Sequence, residues 1–92
     1  QAAFYFFTTK AQKNYCDPQF KPGDFLVFGK ETRGLDEELL LANREGCVRI
    51  PMLGDTRSLN LSNCVAIAVF EGLRQNKFEN FNLSGNLHRL KW

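Results

Sequence analysis

The stretch that decides the fold is Ile50–Asn63, which reads IPMLGDTRSLNLSN and joins a short β-branched run to an apolar segment. It contains a Pro, a Gly, an Arg, two Ser and two Asn, which is more turn-forming and hydrogen-bonding material than a simple connection needs. Long polar loops that follow buried elements often contain functional residues. The position of this loop relative to the other strands therefore decides what kind of site the chain can form.

The composition indicates one packed domain. The chain has 92 residues, of which 43% are hydrophobic, and it contains nine Phe. A chain of this size hides only about 60–65% of its unfolded surface, so the stability margin is small. The net charge of +2 does not by itself predict a nucleic-acid partner. No apolar run approaches the ~20 residues of a membrane-spanning helix, so we expect no membrane association.

Cysteine and histidine usage argues against metal chemistry. The three cysteines, Cys16, Cys47 and Cys64, are odd in number and far apart, so we expect no disulfide framework or metal site and favour a cytoplasmic location. His88 is the only histidine, which leaves little material for a Ser-His triad. The chain starts almost directly in a predicted strand and without an initiator Met. We therefore expect a fragment that is incomplete at its N-terminus.

Short apolar runs predict three buried strands, and the segments between and after them predict helices. The predicted strands are Ala3–Phe7, Phe25–Phe28 and Cys47–Ile50. The predicted helices are one or two turns within Lys10–Tyr15, a helix that Asp36 caps, that Leu39–Ala42 fill and that Gly46 ends, and Cys64–Gln75 capped by Ser62 or Asn63. The first two turns of the last helix are apolar all round, so we expect these turns to be buried. This alternation predicts an α/β fold with a parallel sheet.

Three loops leave the carboxyl ends of the predicted strands, where ligands of parallel α/β sheets bind. The first contains Thr8-Thr9-Lys10, the second spans Gly29–Gly34, and the third is the stretch Ile50–Asn63. We expect the three loops to converge on one binding site.

The loop sequences by themselves leave two interpretations open. Neither a dinucleotide-binding G-x-G-x-x-G nor a P-loop is present. The G-x-E-x-x-G pattern around Glu31 indicates either a strand-to-helix turn or part of a site. Ser58, Asn60 and Ser62 alternate, so they are either competing helix caps or a row of polar groups that faces a pocket.

Several ordered motifs together resemble those of a known family. They are Phe28-Gly29-Lys30-Glu31-Thr32-Arg33-Gly34-Leu35, Arg49-Ile50-Pro51-Met52, Arg57-Ser58-Leu59-Asn60-Leu61-Ser62-Asn63 and Glu71-Gly72-Leu73-Arg74-Gln75. They resemble the second and third signature motifs of the SPOUT, or α/β-knot, RNA 2′-O-ribose methyltransferases. Thr8-Thr9-Lys10 and the Pro-Met after Ile50 are similar to the TrmL-like group, which methylates the wobble ribose of certain leucine tRNAs.

The resemblance implies a fold and a set of site residues. The fold is a parallel sheet with a C-terminal trefoil knot, and residues 1–92 form the cofactor-binding, knot-bearing part of a single SPOUT domain. Matching positions for S-adenosylmethionine contact are Phe7, Gly29, Ile50, Ser58 and Leu59. Glu31, Ser58 and Asn60 match the polar active-site positions. The resemblance implies an aliphatic residue at the position that Phe7 occupies in this chain.

The resemblance also implies partners and a reaction, which is methyl transfer from S-adenosylmethionine to a tRNA ribose, with S-adenosylhomocysteine as product and a homodimer as the working form. The family's catalytic Arg belongs to an Asn-x-Gly motif that this chain does not contain. We therefore expect weak cofactor binding and impaired transfer for the chain alone. The rival interpretations are a non-catalytic RNA-binding or dimerisation module derived from the same fold, and a nucleotide-binding α/β domain of another class.

Overall fold

The three apolar runs form a parallel sheet, as predicted. A computed structural model describes residues 2–29, 35–52 and 60–92. Strands β1 (Phe4–Phe7), β2 (Phe25–Phe28) and β3 (Cys47–Val48) lie in the order β2-β1-β3. Both neighbours of β1 run parallel to it. The third strand is shorter than the predicted Cys47–Ile50 because Arg49 pairs with a different segment, described below.

Two helices and one short 3-10 turn complete the described elements. Helix α1 spans Glu37–Ala42 and is followed by a 3-10 turn at Arg44–Gly46, whereas α2 spans Leu61–Gln75. The two faces of the sheet pack separately because side chains alternate along a strand. On one face Phe6 and Cys47 pack against Leu40 of α1. On the other face Phe7 and Val48 pack against Phe20 and Ala68, and Ala68 belongs to α2.

The predicted helical turns within Lys10–Tyr15 are wrong. The backbone of this segment instead adds a rung to the sheet beside β3, where Asn14 bridges to Arg49 in parallel. The Arg49 amide donates to the Lys13 carbonyl at 2.9 Å, and the Tyr15 amide donates to the Arg49 carbonyl at 2.8 Å. These long-range hydrogen bonds replace the local ones of a helix. The described part of the chain therefore has no helix between β1 and β2.

The prediction that the first two turns of this last helix are buried is also wrong. Ala68 is fully buried, but Val65 is 37% exposed, Val69 41% and Phe70 56%. The segment from Glu79 to Trp92 is exposed throughout, with Leu83 74% and Trp92 87% exposed. An apolar helix face and an apolar tail therefore face solvent in the single chain. Within the described residues, no helix is both long and apolar enough to cross a membrane.

Candidate functional site

The carboxyl ends of the three strands lie side by side. Phe7, the last residue of β1, is in register with Phe28 of β2 and Val48 of β3. The segments that follow these residues therefore leave the sheet at the same edge, which is where ligands of parallel α/β sheets bind. The three strand ends therefore lie together, whereas convergence of the loops stays a prediction, because most of the second and third loops lies outside the described residues.

An apolar floor supports this edge of the sheet. The Phe7 side chain is 8% exposed and stacks on Phe28, with ring centroids 4.7 Å apart and an interplanar angle of 18°. Ile50 is half-buried and packs against the same cluster. Gly29 is half-buried and directly follows Phe28. The structure thus brings three of the five predicted cofactor contacts, Phe7, Gly29 and Ile50, to one edge, and their role in binding stays a prediction.

The remaining predicted site residues fall largely outside the described part of the chain. Ser58 and Leu59, predicted to contact the cofactor, and Glu31, predicted for the active site, lie outside the described residues. Of the three predicted polar active-site residues, only Asn60 is described.

Asn60 is the N-cap of α2. Its side-chain oxygen Oδ1 accepts a hydrogen bond from the Asn63 amide at 3.0 Å, which satisfies one of the free donors at the start of the helix. The helix therefore begins at Leu61, three residues earlier than predicted, and the cap is neither Ser62 nor Asn63. Asn60 is exposed. Its catalytic assignment stays a prediction beside this demonstrated structural role.

Arg49 fixes the first loop, a role that the sequence did not reveal. Its Nη1 donates to the Thr9 carbonyl at 3.1 Å. The Thr8 amide donates to the Val48 carbonyl at 2.9 Å, and the Lys10 amide donates to Thr8 Oγ1 at 3.1 Å. These bonds hold Thr8–Lys10 against the end of β3. The local sequence around Arg49 does not indicate this hydrogen bond, because the acceptor Thr9 lies 40 positions away in the chain.

The guanidinium of Arg49 also contains a buried nitrogen. Among the described residues, the Nε of Arg49 is buried and makes no hydrogen bond. Buried donors are nearly always satisfied in folded proteins. This nitrogen lies on the residue directly before Ile50, so an unsatisfied donor adjoins the predicted cofactor loop.

Residues of the motif Glu71–Gln75 connect α2 by hydrogen bonds to the segment that leads to β2. Glu71 is 8% exposed, and its two carboxylate oxygens each accept one hydrogen bond from Arg74, both at 2.9 Å. Gln75 donates to Glu71 at 2.9 Å and to the Pro18 carbonyl at 3.1 Å, and it accepts from the Phe20 amide at 2.7 Å. The hydrogen bond from Arg74 lowers the pKa of Glu71, so this carboxylate stays charged at neutral pH. The described contacts of these residues are structural.

The tyrosine beside this network is also perturbed. Desolvation by burial raises the pKa of Tyr15, and the negative charge of Glu71 acts in the same direction. Tyr15 is therefore a neutral hydrogen-bonding group at physiological pH. The described residues contain no group of three or more His, Cys, Asp or Glu side chains that could hold a metal ion.

A parallel sheet with an apolar floor beneath its carboxyl edge defines a ligand-binding α/β domain. A model of the SpoU rRNA methylase family matches residues 1–70, and the chain belongs to this family. The resemblance to SPOUT RNA 2′-O-ribose methyltransferases is thereby confirmed.

Individual relatives agree with this assignment. A tRNA (cytidine(34)-2′-O)-methyltransferase of Burkholderia cenocepacia is 52% identical over 79 residues, which cover 85% of this chain and 51% of that protein. An enzyme of the same name from a Polaromonas species is 51% identical over 75 residues, covering 77% of this chain and 44% of that protein. The chain spans about half the length of the curated relatives it matches.

Solved structures share the fold. A structure described as giving insight into the 2-OH methylation of C/U34 on tRNA has a TM-score of 0.75 and 39% identity, covering 83% of this chain and 46% of that one. The SpoU methyltransferase AviRb of Streptomyces viridochromogenes has a TM-score of 0.73 and 26% identity, covering 84% and 30%. The parallel three-stranded sheet with its helices therefore matches the SPOUT fold.

Proposed function

We propose that this chain is the cofactor-binding part of an S-adenosylmethionine-dependent tRNA 2′-O-ribose methyltransferase. Its target would be the wobble nucleotide, a cytidine or uridine, of leucine tRNAs. The curated relatives at about half sequence identity, which are named for the cytidine at position 34, support the substrate class. The observation on which the proposal mainly depends is the alignment of the three strand ends over one apolar floor.

The described residues fit a bound cofactor of this class. The side chains of Phe7 and Ile50 contribute to the apolar cluster, so contacts to the cofactor at these positions would come from backbone groups. Backbone contacts at Phe7, Gly29 and Ile50 would hold the adenine and methionine ends, together with Ser58 and Leu59. Because the Phe7 side chain packs in the core, an aromatic residue in place of an aliphatic one is compatible with a backbone contact to the cofactor. The half-buried Gly29 adds no side chain at the edge.

Methyl transfer depends above all on how the ribose is oriented relative to the methyl donor. When bound, S-adenosylmethionine supplies a methyl group on a positively charged sulfur. Glu31, Ser58 and Asn60 would orient the ribose so that its 2′-oxygen lies in line with the carbon–sulfur bond, and such positioning is a large share of catalysis. The 2′-hydroxyl must also lose a proton to an acceptor. The family's acceptor, the Arg of the Asn-x-Gly motif, has no counterpart in this chain.

The proposal includes the architecture around the site. The chain would carry the trefoil knot, with the stretch Ile50–Asn63 and α2 as its threaded part. It would work as a cytoplasmic homodimer, paired through α2 and the apolar tail. The exposed apolar side chains of Val69, Phe70 and Leu83 support pairing, because extended apolar surfaces favour association. Methyl transfer would need the catalytic Arg of the Asn-x-Gly motif, which a longer parent protein would supply.

Two measurements test the function. Titration calorimetry with S-adenosylmethionine should give heat for this chain, and ATP should not compete. A methyl-transfer assay on total tRNA, followed by nucleoside mapping, should give 2′-O-methylation at the wobble position with the full-length parent and little with the 92-residue chain. The absence of both heat and thermal shift at millimolar cofactor would refute the cofactor part. Modification of another nucleotide would refute the substrate part.

A non-catalytic module remains a second candidate because the Asn-x-Gly motif is absent from this chain while an apolar helix face is exposed. Such a module would bind RNA or dimerise without cofactor heat. A parent sequence containing Asn-x-Gly and a following Arg would favour the enzyme.

A further inference from the structure

A cavity on the α1 face of the sheet lies outside the predicted cofactor contacts. Its volume is about 650 Å³, within the ~300–1,000 Å³ typical of pockets that enclose a small organic group. Thr8 is among its lining residues and directly follows Phe7 in the chain. The lining residues that matter below are Thr8, Lys10, Ala11, Lys13, Leu40, Arg44 and Cys47.

The cavity has an apolar floor. Leu40 and Cys47 are each less than a tenth exposed, and Ala11 packs against the cluster that they form. The Cys47 sulfur lies 3.4 Å from the carbonyl oxygens of both Leu40 and Asn43, and its single S–H can donate to either one; burial raises the pKa of this thiol. The thiol is therefore neutral and internally bonded, and the floor offers a flat apolar group a surface without charge.

Cations surround this floor. Lys10 pairs with Glu37 at 2.9 Å, and Lys13 pairs with Glu45 at 3.6 Å. Arg44 donates to the neutral Gln12 side chain at 3.3 Å. The lining therefore has three positive side chains and two carboxylates. The two ion pairs are exposed, with side-chain exposures between 44% and 96%, and water and salt screen such pairs so strongly that they add little to stability. A phosphate group can therefore replace either carboxylate at little cost.

We propose that this cavity, an apolar floor beneath Lys10, Lys13 and Arg44, binds an unpaired RNA nucleotide that neighbours the methylated one. The base would lie on the floor and the phosphates on the surrounding cations. The inference rests on the proposed function, because the target ribose must lie near Phe7 and the adjoining nucleotide then comes within reach of Thr8. Proteins that read single-stranded RNA bind splayed bases on apolar surfaces and phosphates on basic side chains.

Salt dependence tests the phosphate contacts. A short fluorescein-labelled oligouridylate is titrated with the 92-residue chain over a range of salt concentrations, without cofactor, and affinity is read from anisotropy. The double variant Lys10→Gln/Lys13→Gln should lower affinity several-fold and should reduce the salt slope by about 0.7 for each phosphate that the variant no longer neutralises. Lys21→Gln is the matched control, since Lys21 is exposed and does not line the cavity. It should leave both quantities unchanged.

A second variant tests the base contact. An oligonucleotide with one 2-aminopurine should brighten when its base leaves the stack and enters the cavity. Ala11→Leu, which fills the floor, should abolish the brightening while leaving the salt slope as in the wild type. Circular dichroism melts establish that each variant is folded.

Three outcomes would overturn the inference. The first is an affinity and a salt slope for Lys10→Gln/Lys13→Gln that equal those of Lys21→Gln. The second is an increase in 2-aminopurine fluorescence that persists in Ala11→Leu. The third is displacement of the RNA from the cavity by polyglutamate of equal charge. Calorimetry with S-adenosylmethionine on the same preparations separates the two proposals. If the chain releases heat on binding S-adenosylmethionine but shows any of these three outcomes, only the cavity assignment is refuted. If the wild-type chain releases no heat with S-adenosylmethionine, the proposed function is refuted.

Discussion

At the scale of single residues, Asn60 has two roles to be separated. Its side chain caps α2, and it also occupies a predicted active-site position. Asn60→Ala should lower the free energy of unfolding by about 1 kcal/mol, because the capping hydrogen bond is removed. Asn60→Ser should keep most of that stability, because serine also caps well. Urea denaturation measures both.

The same pair of variants tests the catalytic prediction. In the full-length parent, Asn60→Ser should still reduce methyl transfer if the amide orients the ribose. Unchanged transfer with Asn60→Ser would leave only the capping role.

Glu71 provides the second residue-scale prediction, and it concerns pH. Its pKa is lowered from the ordinary 4.5, chiefly by the hydrogen bond from Arg74. A lowered pKa in the folded state means that the stabilisation is complete above the unfolded-state pKa and is lost as pH falls through the folded-state pKa. Glu71→Gln should therefore flatten the loss of stability below about pH 4.5. At pH 7 it should lower the free energy of unfolding by about 1–2 kcal/mol, since water screens the exposed Arg74.

Glu79→Gln is the control for this measurement, because Glu79 is exposed. Its acid profile should match that of the wild type. Asp24, whose pKa is lowered by hydrogen bonds from the Ala3 and Lys21 amides, supplies acid sensitivity that remains in both variants. A steep acid loss unchanged in Glu71→Gln would contradict the role assigned to the Glu71–Arg74 pair.

At the scale of elements, two glycines should respond oppositely to the same substitution. A Cβ on Gly46 would lie 2.5 Å from the Phe4 carbonyl oxygen, a backbone atom of β1. Gly46→Ala must therefore push the 3-10 turn away from the sheet and should cost about 1–3 kcal/mol. A Cβ on Gly72 would meet Phe20 at an ordinary 3.8 Å. Gly72→Ala should stabilise α2 by about 0.5–1 kcal/mol because alanine is the better helix former.

Thermal melts of the two variants check this contrast. Equal melting temperatures would mean that the turn at Arg44–Gly46 does not pack tightly on β1.

At the scale of the whole molecule, the exposed apolar surface is the main feature. The radius of gyration is 16.1 Å, whereas a compact chain of this length has about 12 Å. The residues from Glu79 onward contribute to this extension, because they are exposed throughout. Phe70, Phe78 and Phe81 form a chain of aromatic contacts, with centroids 6.4 Å and 6.1 Å apart, that joins α2 to this tail. A second copy that pairs with this surface would bury it.

Sedimentation tests this pairing. The wild-type chain should sediment as a dimer, and Phe70→Asp should shift it to monomer, because a charge in an apolar interface has no partner. Lys21→Asp, at an exposed position outside α2 and the tail, should remain dimeric. A monomeric wild type would contradict the homodimer proposal.

Local pattern and family motifs predicted a large part of this molecule. The apolar runs correctly indicated the strands and their parallel arrangement, because alternation and burial are properties of short segments. They also placed Phe7, Gly29 and Ile50 at one sheet edge. They failed between β1 and β2, where Lys13–Tyr15 bonds to Arg49 instead of forming a helix.

What the sequence by itself determined is therefore the set of strands, their direction and the edge at which a ligand would bind. Asn60 is one of the competing helix caps that the alternation of Ser58, Asn60 and Ser62 suggests, and its capping hydrogen bond to Asn63 is local. The tertiary structure alone decided that Arg49 holds the first loop and that one face of α2 stays exposed. Each of these depends on which groups meet in space: Arg49 reaches a carbonyl 40 residues away, and the sheet covers only the side of α2 that holds Ala68. Hydrogen bonds and packing between distant segments have no local signature, because their partners are chosen by the fold.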